Sequence, residues 1–352
     1  MNSNVIRPIN FSNSLHLNHI LLAAVLLFLT SSIGISGQEP KASTWPIPPS
    51  SVLNYPSPIS ELKKYVVFIV VTFKDGPSIG KSEGTGFFVA VPDKRLGASG
   101  GFSYFVTNRH MADPSILVGH PVEILNFSIV ANQILPSGDS GQQRIEVQVP
   151  NPQWVFSQDP SVDLAVVPLG LDHKKFDFLA FPETMFATKD IIQSLQISEG
   201  DSVILTGFFA QFPGQRKIEP IVRQGILAML PEEEIPTILH LPGHLYLADL
   251  HSFHGNSGSP VFINTSERQG GIRIGNEFTN FSPYALLGVV SGYMYETAEM
   301  QLQVASTYYG NVGANSGITM IVPVDELKKI LDGSDLSHQR DEIIAAQTIH
   351  KQ

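Results

Sequence analysis

Three short segments hold residue types that could act together on an acyl group. Phe105-Val106-Thr107-Asn108-Arg109-His110-Met111 is a strand-like run that delivers a histidine at its end. Asp163 stands at the mouth of the apolar run Leu164-Ala165-Val166-Val167-Pro168-Leu169, and Ser257 sits inside the glycine-rich turn His254-Gly255-Asn256-Ser257-Gly258-Ser259-Pro260-Val261-Phe262. A serine hydroxyl is a poor nucleophile at neutral pH and needs a base within hydrogen-bond reach, a task imidazole performs because it titrates in the neutral range. A buried carboxylate fixes the imidazole tautomer and stabilises the imidazolium. Glycines beside the serine let the backbone turn tightly and aim N–H groups at a developing oxyanion, each donor worth roughly 3–4 kcal/mol. The N–H groups of Gly255 and Ser257 are the candidates for that role. Taken singly, each residue has a plainer reading: a hydrogen-bonded strand-end histidine, a turn-capping aspartate, a serine in an ordinary loop. Asp172 and Asp177 compete with Asp163, but neither opens an apolar strand as cleanly. The three segments in order are what carry the chemistry.

The surrounding chain reads as strands. Tyr65–Phe73 is a β-branched and aromatic run that stops at Asp75-Gly76-Pro77, and Phe87–Val91 and Phe102–Thr107 follow, each bounded by Gly or Pro. Val122–Val130, Arg144–Val149 and Leu164–Pro168 complete a first set. An irregular stretch, Asp172 to Gly200, contains a helix near Lys189–Leu195 and joins the two sets. A second set runs through Ser202–Thr206, Ile221–Leu230, Leu245–Leu250, Val261–Ile263, Leu286–Val290 and Ile318–Val322. Pro323-Val324-Asp325 then opens a short amphipathic helix that Gly333 ends. Residues 334–352 are polar and read as a loose tail.

Composition narrows the classes. Of 352 residues 43% are hydrophobic and 15% charged, enough apolar material for a core and too little charge for a disordered chain. A formal charge of −10 argues against nucleic acid as a partner. With no cysteine, a thiol nucleophile, a thiolate-bound zinc and a disulfide scaffold are all excluded. His240, His244, His251 and His254 lie close together, but Pro242 and Gly243 break any helix that would align the first two, so they read as pocket and surface histidines and no metal is expected. Residues 1–36 have a signal-peptide layout, with the apolar run Ile20–Leu29 and the small residues Gly34 and Ser36 ahead of a cut after Ser36. The run is short for a membrane span, so no stable span is expected after cleavage, which would take the charge to −11 by removing Arg7 and no acid. Residues 37–61, rich in Pro and Ser, read as an extended linker or pro-segment.

The histidine segment Thr107-Asn108-Arg109-His110, the aspartate segment Asp163–Val167 and the serine segment Gly255–Pro260 resemble those of trypsin/chymotrypsin-like serine proteases. Their order is that family's His, Asp, Ser order, with separations of 53 and 94 residues. The resemblance covers roughly residues 62–333. The serine segment is close to that of bacterial glutamyl endopeptidases, and Ser316–Val324 before a helix is similar to HtrA-type proteases, with no PDZ-like segment following. The resemblance implies an all-β fold of two six-stranded antiparallel β-barrels, about 62–180 and about 195–333, with a short C-terminal helix and the site in the cleft between them. It also implies roles for further residues. Ser291, in Val289-Val290-Ser291-Gly292-Tyr293, would support the aspartate and line the primary pocket with Gly292 and Tyr293; His251, six before Ser257, would sit at the pocket base, with His254 nearby. Val290 stands where glutamyl endopeptidases carry a histidine, which departs from a Glu-selective pocket. Tyr293 replaces the glycine of an open pocket, which would narrow it. Asn256 replaces the aspartate that captures a new N-terminus in zymogen-activated members, which argues against that route of activation.

The expectation is therefore a secreted, periplasmic or envelope serine endopeptidase acting on protein or peptide substrates without a cofactor. Its rival is a catalytically impaired relative with the same fold, serving as a binding module.

Overall fold

The computed structural model describes residues 58–349 apart from 98–99, 136–139, 267–271, 275–276, 280–282 and 304–306. The signal-like segment 1–36 and most of 37–61 lie outside the described residues. After a short helix α1 (Pro58–Leu62), the first half contains β1 (Val66–Asp75), β2 (Ser78–Pro92), β3 (Gly101–Thr107), β4 (Glu123–Ile134), β5 (Ser140–Gln148), β6 (Val155–Phe156), β7 (Ala165–Pro168) and β8 (Ala180–Pro182). Single-turn helices α2 (Arg109–Ala112) and α3 (Ser115–Val118) follow β3, and α4 (Lys189–Ser194) leads to the second half. There lie β9 (Ser202–Gly207), β10 (Ile221–Met229), β11 (Ile235–Pro236), β12 (Pro242–Gly243), β13 (Tyr246–Asp249), β14 (Pro260–Asn264), β15 (Ile272–Ile274), β16 (Glu277–Thr279), β17 (Tyr284–Gln303) and β18 (Thr307–Pro323), then helices α5 (Val324–Asp332) and α6 (Ser334–Ile349).

The second half closes into a six-stranded antiparallel barrel in the order β10-β13-β18-β17-β14-β9. The first half is an eight-stranded sheet in the order β5-β4-β1-β2-β3-β7-β6, with β8 added parallel to β2. Strand β2 explains the extra member: its register with β1 ends at Phe87, so the edge of Phe88–Ala90 is open and β8 covers it. The whole is an all-β organisation of a closed barrel and a second sheet, with helices confined to short connections and the C-terminus.

β1 reads as unbroken hydrophobic sequence because both of its faces are buried. Val66, Phe68 and Val70 join a core that also holds Ile204, Phe262, Leu286 and Val322 of the second half, whereas Val67, Ile69 and Val71 face the first half's own core. Aromatic rings stitch the two halves: Tyr65 to Phe262 at 6.3 Å, Phe181 to Phe262 at 5.2 Å and Phe68 to Phe208 at 5.5 Å between centroids. Val324, Leu327, Ile330 and Leu331 of α5 seal the same core at helical spacing.

The polar C-terminal segment is a helix rather than a loose tail over Ser334–Ile349. Its hold comes from distant partners: Leu336 is buried, and the Arg340 guanidinium donates to Tyr104 Oη and to Leu331 O, both at 2.9 Å. Asp341 adds an ion pair with Arg95 at 2.8 Å.

Phe262 is fully buried where rings from both halves meet. Phe262→Ala should cost roughly 3–5 kcal/mol in urea unfolding; a loss below about 1 kcal/mol would mean the shared core does not hold the halves together.

Candidate active site

β3 ends at Thr107, and the chain turns at Asn108 into α2, which puts His110 in the first turn of that helix. His110 is 2% exposed and Asp163 0%. The two residues are joined twice: His110 Nδ1 lies 2.8 Å from Asp163 Oδ2, and the His110 backbone N–H donates to Asp163 Oδ1 at 3.0 Å. The Asn108 amide donates to the Asp163 carbonyl at 2.9 Å and fixes the backbone on which the carboxylate rides. From the second half, Ser291 Oγ donates to Asp163 Oδ2 at 2.7 Å. Burial alone would push the Asp163 carboxyl up, but the charge of His110 and the hydrogen bonds from His110 and Ser291 outweigh it and hold the group below its usual value.

Ser257 follows a tight turn. Gly255 has φ +99° and Gly258 φ +81°, both in the region that side chains disfavour. A Cβ on Gly255 would stand 2.6 Å from Ala210 N, and one on Gly258 would strike Thr85 O. Within this turn the N–H groups of Asn256, Gly258 and Ser259 donate to Phe253 O, Asn256 O and Val290 O in the pairs Asn256→Phe253, Ser259→Asn256 and Gly258→Val290. Among the described residues, the N–H groups of Gly255 and Ser257 have no acceptor within the chain. Two adjacent unspent donors beside a hydroxyl are what an oxyanion requires.

Two buried residues hold that turn, and neither drew notice for this in the sequence. Asn256 accepts from Phe253 N–H and donates to Phe208 O, each at 2.8 Å. Thr85, in Gly84-Thr85-Gly86 of β2, donates through Oγ1 to Gly255 O at 2.7 Å and through its N–H to Ser257 O at 2.9 Å. The same Oγ1 accepts from Phe208 N–H at 3.1 Å. The one signal was a threonine between two glycines at the point where β2 passes from a polar to an apolar stretch.

His110 and Ser257 line one cavity of about 480 Å³ together with His254, Gly292 and Tyr293. Among the described residues no hydrogen bond joins Ser257 to His110. Ile238, Val290, Met294 and Met320 give the cavity an apolar wall, and Thr237, His240 and Ser252 are polar points on it. The Ser252 hydroxyl accepts from Thr319 Oγ1 at 2.9 Å. Two anticipated pocket residues stand elsewhere. Ser291 is fully buried and spent on Asp163. His251 is exposed, outside the lining, with its ring 6.3 Å from that of Phe253. Met294 of β17, Met320 of β18 and the loop 237–240, remote from one another in sequence, supply the wall that local reading could not assign.

The lowered Asp163 carboxyl has a pH signature. A carboxyl held below its unfolded value, about 3.9, contributes stability that is fully present above that pH and is lost as pH falls through the folded value. Below about pH 4 the wild-type unfolding temperature should therefore drop more steeply than that of Asp163→Asn. Parallel curves would mean that Asp163 is not held ionised by this network.

No protein-family model and no curated protein matches the chain. Among solved structures, the chain is similar to an HtrA-type protease with a tripeptide, at 15% identity and a TM-score of 0.44, over 82% of this chain. It spans 65% of the length of that protein.

Proposed function

We propose that this protein is a serine endopeptidase, exported from the cytoplasm, in which Ser257 attacks a peptide carbonyl. His110 takes the hydroxyl proton and returns it to the leaving amine, while Asp163 orients His110 and stabilises its charged form. The N–H groups of Gly255 and Ser257 receive the oxyanion of the tetrahedral intermediate. Collapse of that intermediate gives an acyl-enzyme, which water then cleaves by the reverse sequence of proton transfers. No cofactor enters the scheme. One observation carries the reading: residues far apart in the chain unite a buried histidine–carboxylate pair and a hydroxyl flanked by two unspent N–H donors around one cavity.

The missing hydrogen bond between Ser257 and His110 favours a second reading, a latent or impaired member of the fold that binds peptides without cutting them. In resting enzymes such bonds are often long and tighten with substrate, so this observation alone is the weaker one.

A fluorophosphonate probe separates the readings. Labelling of the protein lacking residues 1–36, abolished in both Ser257→Ala and His110→Ala, is the expected result. Peptide hydrolysis should fall roughly 10⁴-fold or more in kcat in the same variants. A folded wild-type protein that takes no label would sink the enzyme reading and favour the binding module.

A further inference from the structure

A residue of the cavity wall, Phe253, packs against a cation that the scheme above does not use. Arg223 lies on β10, and its guanidinium carbon stands 4.5 Å from the centroid of the Phe253 ring. Phe253 lines the cavity and immediately precedes His254 and Gly255 of the serine turn, whereas Arg223 is outside the lining, beyond the ring. Among the described residues the Arg223 guanidinium has neither a hydrogen bond nor a carboxylate partner, and its Nε is buried with no acceptor. A guanidinium offers five N–H donors in a planar fork, stacks well on aromatic faces and matches a carboxylate in two parallel hydrogen bonds. Natural proteins seldom leave a buried donor such as this Nε–H without an acceptor. Burial also holds Arg223 below the usual arginine pKa, as befits a cation without a compensating anion. The rest of the molecule makes this cation stand out, since the chain carries a net charge of −10.

We infer that Arg223 selects a carboxylate on the bound peptide, at a position flanking the residue that fills the apolar cavity. The inference rests on the same cavity as the proposed protease reading, and it deepens that reading by naming a substrate class, peptides with an acidic group beside the occupied pocket. Phe253 acts as the platform: it holds the guanidinium plane and shields one face from water, so that an incoming carboxylate meets a partly desolvated fork. The carboxylate could belong to an Asp or Glu side chain or to a peptide C-terminus, since the fork reads the same two oxygens in each.

Binding to Ser257→Ala protein tests the inference without requiring turnover. Fluorescence anisotropy would compare four sets of peptides on one apolar core: Glu at each flanking position with an amidated end, Gln at the same positions, Lys at the same positions, and an acid-free peptide with a free C-terminus. At one position Glu should bind about tenfold more tightly than Gln, the scale of one charge-assisted hydrogen-bonded pair. Adding Arg223→Ala should bring that ratio to about one, and adding Arg223→Glu should turn the preference toward Lys, an inversion that misfolding cannot mimic. If only the free C-terminus gains, the carboxylate read is terminal. A Glu/Gln ratio near one at every position, with no gain from a free C-terminus, or a ratio unmoved by either Arg223 substitution, would overturn the inference. Fluorophosphonate labelling of the Arg223 variants with Ser257 intact reports on the enzyme reading separately, so the two can fail independently.

Discussion

A carboxylate with no access to water governs this architecture. Removing such a charge from solvent is tolerated only when its oxygens are fully occupied by donors. Asp163 meets that condition through the backbone and ring of His110 and the hydroxyl of Ser291. Two of those donors come from α2 in the first half and the third from β17 of the barrel. The electrostatic requirement is thus satisfied only when both halves are in place, and the interlocked apolar core ensures that they are. Packing supplies the stability; the carboxylate supplies the reason why the halves must meet in one register.

The serine turn obeys a complementary rule. There the need is for donors left free, and the fold keeps them free by tying down their neighbours. Thr85 captures the carbonyls of Gly255 and Ser257, and Asn256 spans Phe253 and Phe208. With the carbonyls fixed and the adjacent N–H groups spent, the remaining two N–H groups point away from the chain's own acceptors. A backbone that would otherwise satisfy itself is held open by side chains on either flank, which is preorganisation in the sense that matters for charge developing during a reaction.

Much of this was legible in the sequence because it is local. The apolar runs of β1, β7, β9 and β14 announce strands, and the positions of His110, Asp163 and Ser257 at strand ends or in a glycine turn announce where side chains leave the sheet. Ser291 and its tie to Asp163 came through resemblance, since nothing in Val-Ser-Gly itself points to a carboxylate more than a hundred residues away. What escaped notice depends on the third dimension. His251 was placed by counting from Ser257, but the turn carries it outside the cavity wall. β17 and β18 also run well past the strand bounds read from the sequence, their far ends paired with each other down to Gln303 and Thr307, a length that cross-strand pairing sets. Helix α6 is polar in composition, and the anchor at Arg340 becomes visible only when Tyr104 is brought beside it.

The anchors just described also set a timetable. Ser291 lies 128 residues beyond the carboxylate it completes, and Arg340 lies 236 beyond Tyr104. During synthesis the first sheet therefore leaves the ribosome with a carboxylate that it cannot satisfy and an apolar face that nothing yet covers. Closing loops of that length is slow and costs entropy before any contact compensates. The nascent chain can hold no finished cleft, and no fully occupied Asp163 carboxylate, until β17 has been made and has docked. The gathered site is therefore a property of both halves together, and a chain released before β17 would carry His110, Asp163 and Ser257 without the partner that completes their arrangement.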